Sequence, residues 1–440
     1  DRLGENIDNT GQGQSRLIVD GGSVPGTLAY LSHTNNNTPG TTAIGIIPWL
    51  TGGTTPGDAG STFITYDMTG ITNGFRPLDR DTEFARHFAN NDDLDSGAAG
   101  GNNLGLLITN TAAATDVTIT NDLTVLGLLI ENTGINNANS DVLLSGNDLT
   151  VESGLILSIN SGNRHNEIQG GGGTITFGPN LGTGFEGRIH SVGGRFYVSA
   201  PIVDNVIAGV TNAVSLTTDG AVYMNADATY SGETYINSGR IEINGGDDRL
   251  PTGTIVTANG NGELRLFGGN QTIGGLQGSG VVGNEQGSAA RTLTINVTNA
   301  GAAYDFAGTL RNRAAAGGGA LNLVKDGAGS QYLSGTNVYS GTTTVDGGAL
   351  IATHALAFPV YTNVADIGGA REYAFWQNLT ANAGGALGVR GGRANEWQPG
   401  EIDTLLTNAN FNSGSFFAMD VDTGQTFTYG SAISNGVGYS

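Results

Sequence analysis

The chain has 440 residues, of which 74 are Gly, and its 39 acidic against 18 basic residues give a formal net charge of −21. A field of that sign repels nucleic acid and anionic lipid, and it opposes a lyase acting on acidic polysaccharide, which needs cationic groups to neutralise its uronate. With no Cys the chain has neither a disulfide framework nor zinc–thiolate chemistry, and no apolar run reaches the length of a membrane helix.

Gly is more than twice its usual share, helix formers are scarce, and Asn and Thr alternate with scattered Val, Ile and Leu. Short strands joined by tight turns follow, so the fold class is all-β.

Residues 1–98 form an irregular, β-rich N-terminal segment. "AIGIIPWLTGG" (43–53) and "STFITYDMTGITNGFRPL" (61–78) read as strands joined by Gly-, Thr- and Pro-bearing loops. The stretch "RDTEFARHFANND" (80–92) predicts a helix with Asp81 as its N-cap, placing Glu83 and His87 as a solvated i,i+4 pair. In "NNDDLDSG" (90–97), Asn91, Asp93 and Asp95 alternate like the start of an oxygen-ligand loop for calcium. They are the candidate metal ligands, although the Gly and distal Glu of an EF-hand are missing.

From 99 to 370 the sequence repeats. "LGLLITN" at 104–110 returns as "LGLLIEN" at 126–132, and "SGLILSIN" at 153–160 is a looser third copy. "DVTIT-NDLTV" from Asp116 returns as "DVLLSGNDLTV" from Asp141. A period near 22–27 residues is the length of one β-solenoid coil of three short strands and three turns. "GGGG" at 170–173 lacks the following Lys-Ser/Thr and helix of a phosphate loop.

A longer echo overlies this period. "YSGETYINSGRI" (230–241) matches "YSGTTTVDGGAL" (339–350) without a gap, 109 residues on. Period-two alternation points Ile236, Ile241, Val345 and Leu350 into the core and puts Gly239 and Gly348 at equivalent corners. Asp247 and Asp248 read as a solvated corner rather than a catalytic carboxylate pair.

Residues 371–440 continue the solenoid, with a loop and helix excursion at "QPGEIDTLLTNA" (398–409). Asp420 and Asp422 read as a surface ladder.

The segments 220–284 and 321–356, above all "LSGTNVYSGTTTVDGGALIA" (333–352), resemble the autotransporter-associated β-strand repeat family, also described as passenger-associated repeats. That resemblance implies a right-handed parallel β-helix, export, and a structural role at the bacterial surface or outside the cell. The expectation is an extracellular β-solenoid in a large surface protein or fibre, without enzymatic activity, cofactor, nucleic-acid partner or membrane insertion. Alternatives are a carbohydrate-binding adhesin passenger, or a polysaccharide-degrading β-helix with paired carboxylates in a groove lined by Trp49, Trp376 or Trp397. Asp1-Arg2-Leu3 repeats the interior Asp248-Arg249-Leu250, and "SAISNGVGYS" stops on strand-like sequence. Neither end reads as a cap, so the expected partner is a further length of chain or another copy stacked head to tail, with surface glycans as a further candidate.

Overall fold

The computed structural model describes residues 40–47, 50–52, 60–67, 74–87, 103–108, 116–132, 140–160, 165–180, 184–313, 319–359, 376 and 378–431, with short strands at 2–3, 14–15 and 93–94. The described residues are overwhelmingly strand, and they fall into two compact units, Asp1–Gly232 and Glu233–Ser440.

The first unit is built from parallel ladders in which the chain returns about every 26 residues. Leu123–Val125, Leu149–Val151 and Ile175–Phe177 stack with Leu123, Leu149 and Ile175 in one row and Val125, Val151 and Phe177 in another. Those six side chains are buried, while Thr124, Thr150 and Thr176 form the outward row between them. Leu and Val with an intervening Thr is the period-two pattern of a strand with one wet face. A second ladder runs through Asn103–Ile108, Gly127–Asn132, Leu155–Asn160 and Gly184–Ser199. A third runs through Val117–Ile119, Ser140–Leu143, His165–Gln169 and the end of Gly184–Ser199. Parallel ladders of this length are consistent with a β-helix.

The repeat spacing needs one correction. "LGLLITN" and "LGLLIEN" do not pair at their spacing of 22. Leu128 lies opposite Leu104, two residues out of the textual alignment, and Leu128 lies opposite Ile156 on its other side. A two-residue slip keeps every side chain on its face, so hydrophobic patterning tolerates it. The Asp116 and Asp141 copies do pair as spelled, with Val117 opposite Val142.

Gly127–Asn132 and Leu155–Asn160 are buried on both faces. The antiparallel pair Thr62–Asp67 and Gly74–Pro77 belongs to the segment that covers their outer side. Ile44, Ile46, Phe63, Leu78 and Phe84 pack there with Leu129, Leu155, Leu157 and Ile159. A Cβ on Gly127 would lie 2.6 Å from Ile46 Cδ1 and 3.0 Å from Phe63 Cε2, so only Gly admits this cover.

The predicted helix at 80–92 is not formed in its described part. Arg80–Thr82 is a turn, and Ala85–His87 is a strand pairing parallel to Asn103–Ile108, with Ala85 opposite Leu104. Asp79, rather than Asp81, caps the turn by accepting the Asp81 N–H at 2.7 Å. Glu83 is buried and not in a solvated pair: Arg76 donates to both of its oxygens at 2.7 Å, and Gly40 N–H and Asp79 N–H donate at 2.8 and 2.7 Å. Burial pushes this carboxyl up, but Arg76 and the two amides outweigh it and hold the pKa below the usual range. The tertiary clamp overrides a weak local helix propensity.

The second unit repeats the scheme. Gln271–Ile273, Arg291–Asn296, Leu321–Asp326, Thr343–Val345, Leu379–Ala381 and Asn410–Phe411 form one parallel ladder. A second runs through Ala303–Phe306, Ser330–Leu333, Gly348–Ala352, Gly385–Arg390 and Phe416–Asp420. Ile236, Ile241, Val345 and Leu350 are all fully buried, and Gly239 and Gly348 both have positive φ, +69° and +58°. The predicted helix forms over Pro399–Asn408, with Gln398 and Glu401 closing a capping box.

Buried amides bridge successive strands where the ladder is interrupted. Gln331 Nε2 donates to Leu276 O at 2.9 Å, and its Oε1 accepts the Leu276 N–H at 3.1 Å. Gln271 does the same for Leu250, at 3.0 Å in each direction. Each side chain replaces a peptide group and satisfies backbone polarity that burial would otherwise penalise.

A candidate site on an outward column of the first unit

In His165–Gln169 the alternation puts Asn166 and Ile168 inside and His165, Glu167 and Gln169 on the outer face. Parallel register then stacks unlike repeats into one row: Asp141 opposite Glu167, Glu167 opposite Tyr197, and Tyr197 opposite Tyr223. The next row holds His165 opposite Arg195. Gly193, at φ +79°, lies between the parts of Gly184–Ser199 that join the two ladders; a Cβ there would lie 2.2 Å from Asn160 O.

Directly opposed carboxylates destabilise a sheet. Burial, then repulsion by Glu167 and Asp116, raises the Asp141 pKa to about 6 against a hydrogen bond from Gln169. Burial also holds the His165 pKa below its ordinary value, which keeps the imidazole neutral near pH 7. One ligand atom from each of Asp141, His165 and Glu167 falls within a 4.8 Å set. The outer oxygens are partly engaged: Gln169 Nε2 donates to Asp141 Oδ2 at 2.9 Å, and Ser199 Oγ donates to Glu167 Oε1. Asn225 Nδ2 steadies that hydroxyl at 2.9 Å. His165 meets the edge of Tyr197 at 4.6 Å, Tyr197 tilts on Tyr223 at 4.7 Å, and the Arg195 guanidinium lies 5.6 Å from the Tyr223 ring.

The positions singled out from sequence fare differently. Asn91 and Asp95, and the side chain of Asp93, lie outside the described residues. Asp247 and Asp248 make a structural corner: Asp247 accepts the Asn270 N–H at 2.7 Å, and Asp248, at φ +51°, accepts the Thr272 N–H at 2.6 Å. Asp420 and Asp422 converge on arginines, Asp420 on Arg390 at 2.7 Å and Asp422 on Arg393 at 2.6 Å. Trp376 and Trp397 line no groove; both are fully buried, their rings 5.2 Å apart, and Trp397 Nε1 donates to Ala352 O at 2.9 Å. Trp49 lies outside the described residues. Sequence reasoning missed the Asp141, His165 and Glu167 set. Its signal was present: the Asp116–Asp141 echo carried one period further lands on Glu167.

The second unit carries the other distinctive feature. Lys325, the chain's one lysine, stands in an inward column between Ile295 and Val345 and is fully buried. Its ammonium donates to Asp326 O, Gly327 O and Gly347 O at 2.6, 3.0 and 3.1 Å.

Stacked parallel ladders, Gly corners recurring at a fixed place and a lysine plugging one corner define an all-β repeat protein. Residues 323–352 match the passenger-associated-transport-repeat model, and the chain carries a repeat of that family. It is also 28% identical over 289 residues to the adhesin BmaC autotransporter of Brucella suis biovar 1 (strain 1330), a match covering 48% of this chain and 6% of that protein. The chain therefore spans only a small part of that relative. No solved structure matches. Among the described residues, no helix is long and apolar enough to cross a membrane.

Proposed function

We propose that this chain is a stretch of the passenger of a bacterial surface adhesin, shaped as a right-handed parallel β-solenoid and serving as a non-enzymatic scaffold for contact outside the cell. The observation that carries the reading is the equivalence of the two long repeats. Tyr230 and Tyr339 are buried, and Gly232 and Gly341 each approach a preceding strand so closely that a Cβ would lie 2.4 and 2.1 Å from Val214 O and Leu321 O. Such spelling conserves a geometry rather than a chemistry. The passenger repeat and the similarity to an adhesin support a surface location. Self-association through stacked ladders belongs to the same proposal, because a parallel ladder templates further strands.

Glycan binding is a second reading, favoured by the Tyr197 and Tyr223 rings flanked by Glu167, Arg195 and Asn225, since aromatic faces beside planar polar groups suit sugars. Beads coated with the purified chain are expected to adhere to host cells or matrix above uncoated beads, with no hydrolysis of neutral or acidic polysaccharides. Absence of adhesion, or turnover abolished by one carboxylate substitution, contradicts the proposal. Loss of glycan-array signal on Tyr197→Ala distinguishes the second reading.

A further inference from the structure

We infer that Asp141, His165 and Glu167 form a binding site for a single divalent transition ion of the Zn²⁺ class. Three observations converge. First, parallel register forces Asp141 against Glu167, with Asp116 adding to the repulsion on Asp141, an arrangement that costs stability unless positive charge enters it.

Second, the polar neighbours leave one lone pair from each group available. Gln169 occupies Asp141 Oδ2 and Ser199 occupies Glu167 Oε1. Asp141 Oδ1 is shielded from solvent and accepts no hydrogen bond. Glu167 Oε2 lies 4.0 Å from His165 Nε2. Metal-bound carboxylates are characteristically held this way by outer hydrogen bonds, and Asn225 extends the network behind Ser199.

Third, the donor set selects the ion. A neutral imidazole with two carboxylates suits Zn²⁺ and its neighbours, whereas Ca²⁺ and Mg²⁺ take oxygen ligands. With metal–ligand bonds of about 2.0–2.2 Å, ligand atoms lie roughly 3–3.5 Å apart, so the set must contract by roughly an ångström from its 4.8 Å span. Rotation of side chains on adjacent strands achieves this, and a water completes a tetrahedral shell. The ion would tie two successive strands together on the outer face, close to the Tyr197 and Tyr223 rings.

Isothermal titration of the full chain with Zn²⁺ at physiological ionic strength tests the inference, with Ca²⁺ as a parallel arm and Co²⁺ absorption as a report on geometry. Expected are one Zn²⁺ equivalent lost in Asp141→Asn and His165→Gln, a tetrahedral Co²⁺ spectrum, and affinity about 10- to 100-fold weaker in Ser199→Ala. Because Asp141→Asn relieves repulsion, its unfolding temperature without metal should not fall, which separates lost ligation from lost fold. No Zn²⁺ binding, Zn²⁺ binding that both substitutions leave unchanged, or Ca²⁺ binding of equal strength that ignores His165→Gln would each overturn it.

Discussion

Lys325 Nζ donates to the carbonyl oxygen of Gly347, 3.1 Å away on the following return of the chain, while also binding the carbonyls of Asp326 and Gly327. One cation thus gathers oxygens from two consecutive corners and holds the turn before Gly348 in place. Replacing it by Met keeps the stem's volume but leaves buried carbonyls without this donor. Lys325→Met is expected to lower stability by about 2 kcal/mol, read as a lower urea midpoint at unchanged slope.

The same lysine gives a pH signature. Burial pulls its pKa down to about 8, with Asp326 opposing; in the unfolded chain the value is about 10.4. Between these values the unfolded state holds the extra proton, so this group's contribution rises with pH and is lost as pH falls through about 8. The stability gap between the natural chain and Lys325→Met should therefore widen from about pH 7 to about pH 9.5. Parallel urea titrations at each pH measure the gap; a constant or narrowing gap contradicts the assignment.

Gly348 combines a φ of +58° with close approach, since a Cβ there would lie 2.2 Å from Gly329 O and 2.5 Å from Gly327 O. Gly348→Ala should cost more than the ~1–2 kcal/mol of left-handed backbone strain alone, because backbone oxygens must also move. Denaturation of the purified variant checks it.

Glu83 ties Gly40, Arg76 and Asp79 together beneath the cover of the first unit. Glu83→Ala should leave Arg76 without its buried carboxylate and cost about 3 kcal/mol or more. The Gly40 and Asp79 amides, which donate to that carboxylate, should exchange with deuterium far faster, while amides of Leu149–Val151 stay protected.

Much of this was legible in the text. Alternation around Ile236, Ile241, Val345 and Leu350 determined their burial, and Gly239 and Gly348 marked true corners, because period-two burial and positive φ leave direct traces in residue type. The error at 80–92 arose where a buried ion pair and a two-sided hydrophobic cover decide the backbone, and neither leaves a local periodicity. The register of "LGLLI" slipped by two for a related reason: apolar runs buried on both faces carry little phase information. Lys325 was visible as the lone lysine, yet nothing in its neighbours says that a charged group belongs in a column with Ile295 and Val345. The carboxylate–histidine column needed cross-strand register, which the repeats supplied only one period at a time.

An experimental structure of the purified chain, by crystallography or by electron microscopy of an assembled form, tests the central claim most directly. The account predicts a right-handed course in which every return adds one strand, stepped by about 4.8 Å, to each of three parallel ladders. Residues 230–241 and 339–350 should superpose, with Gly239 and Gly348 at the same corner. A left-handed course, antiparallel ladders in place of the parallel ones, or divergent traces for the two repeats would contradict it.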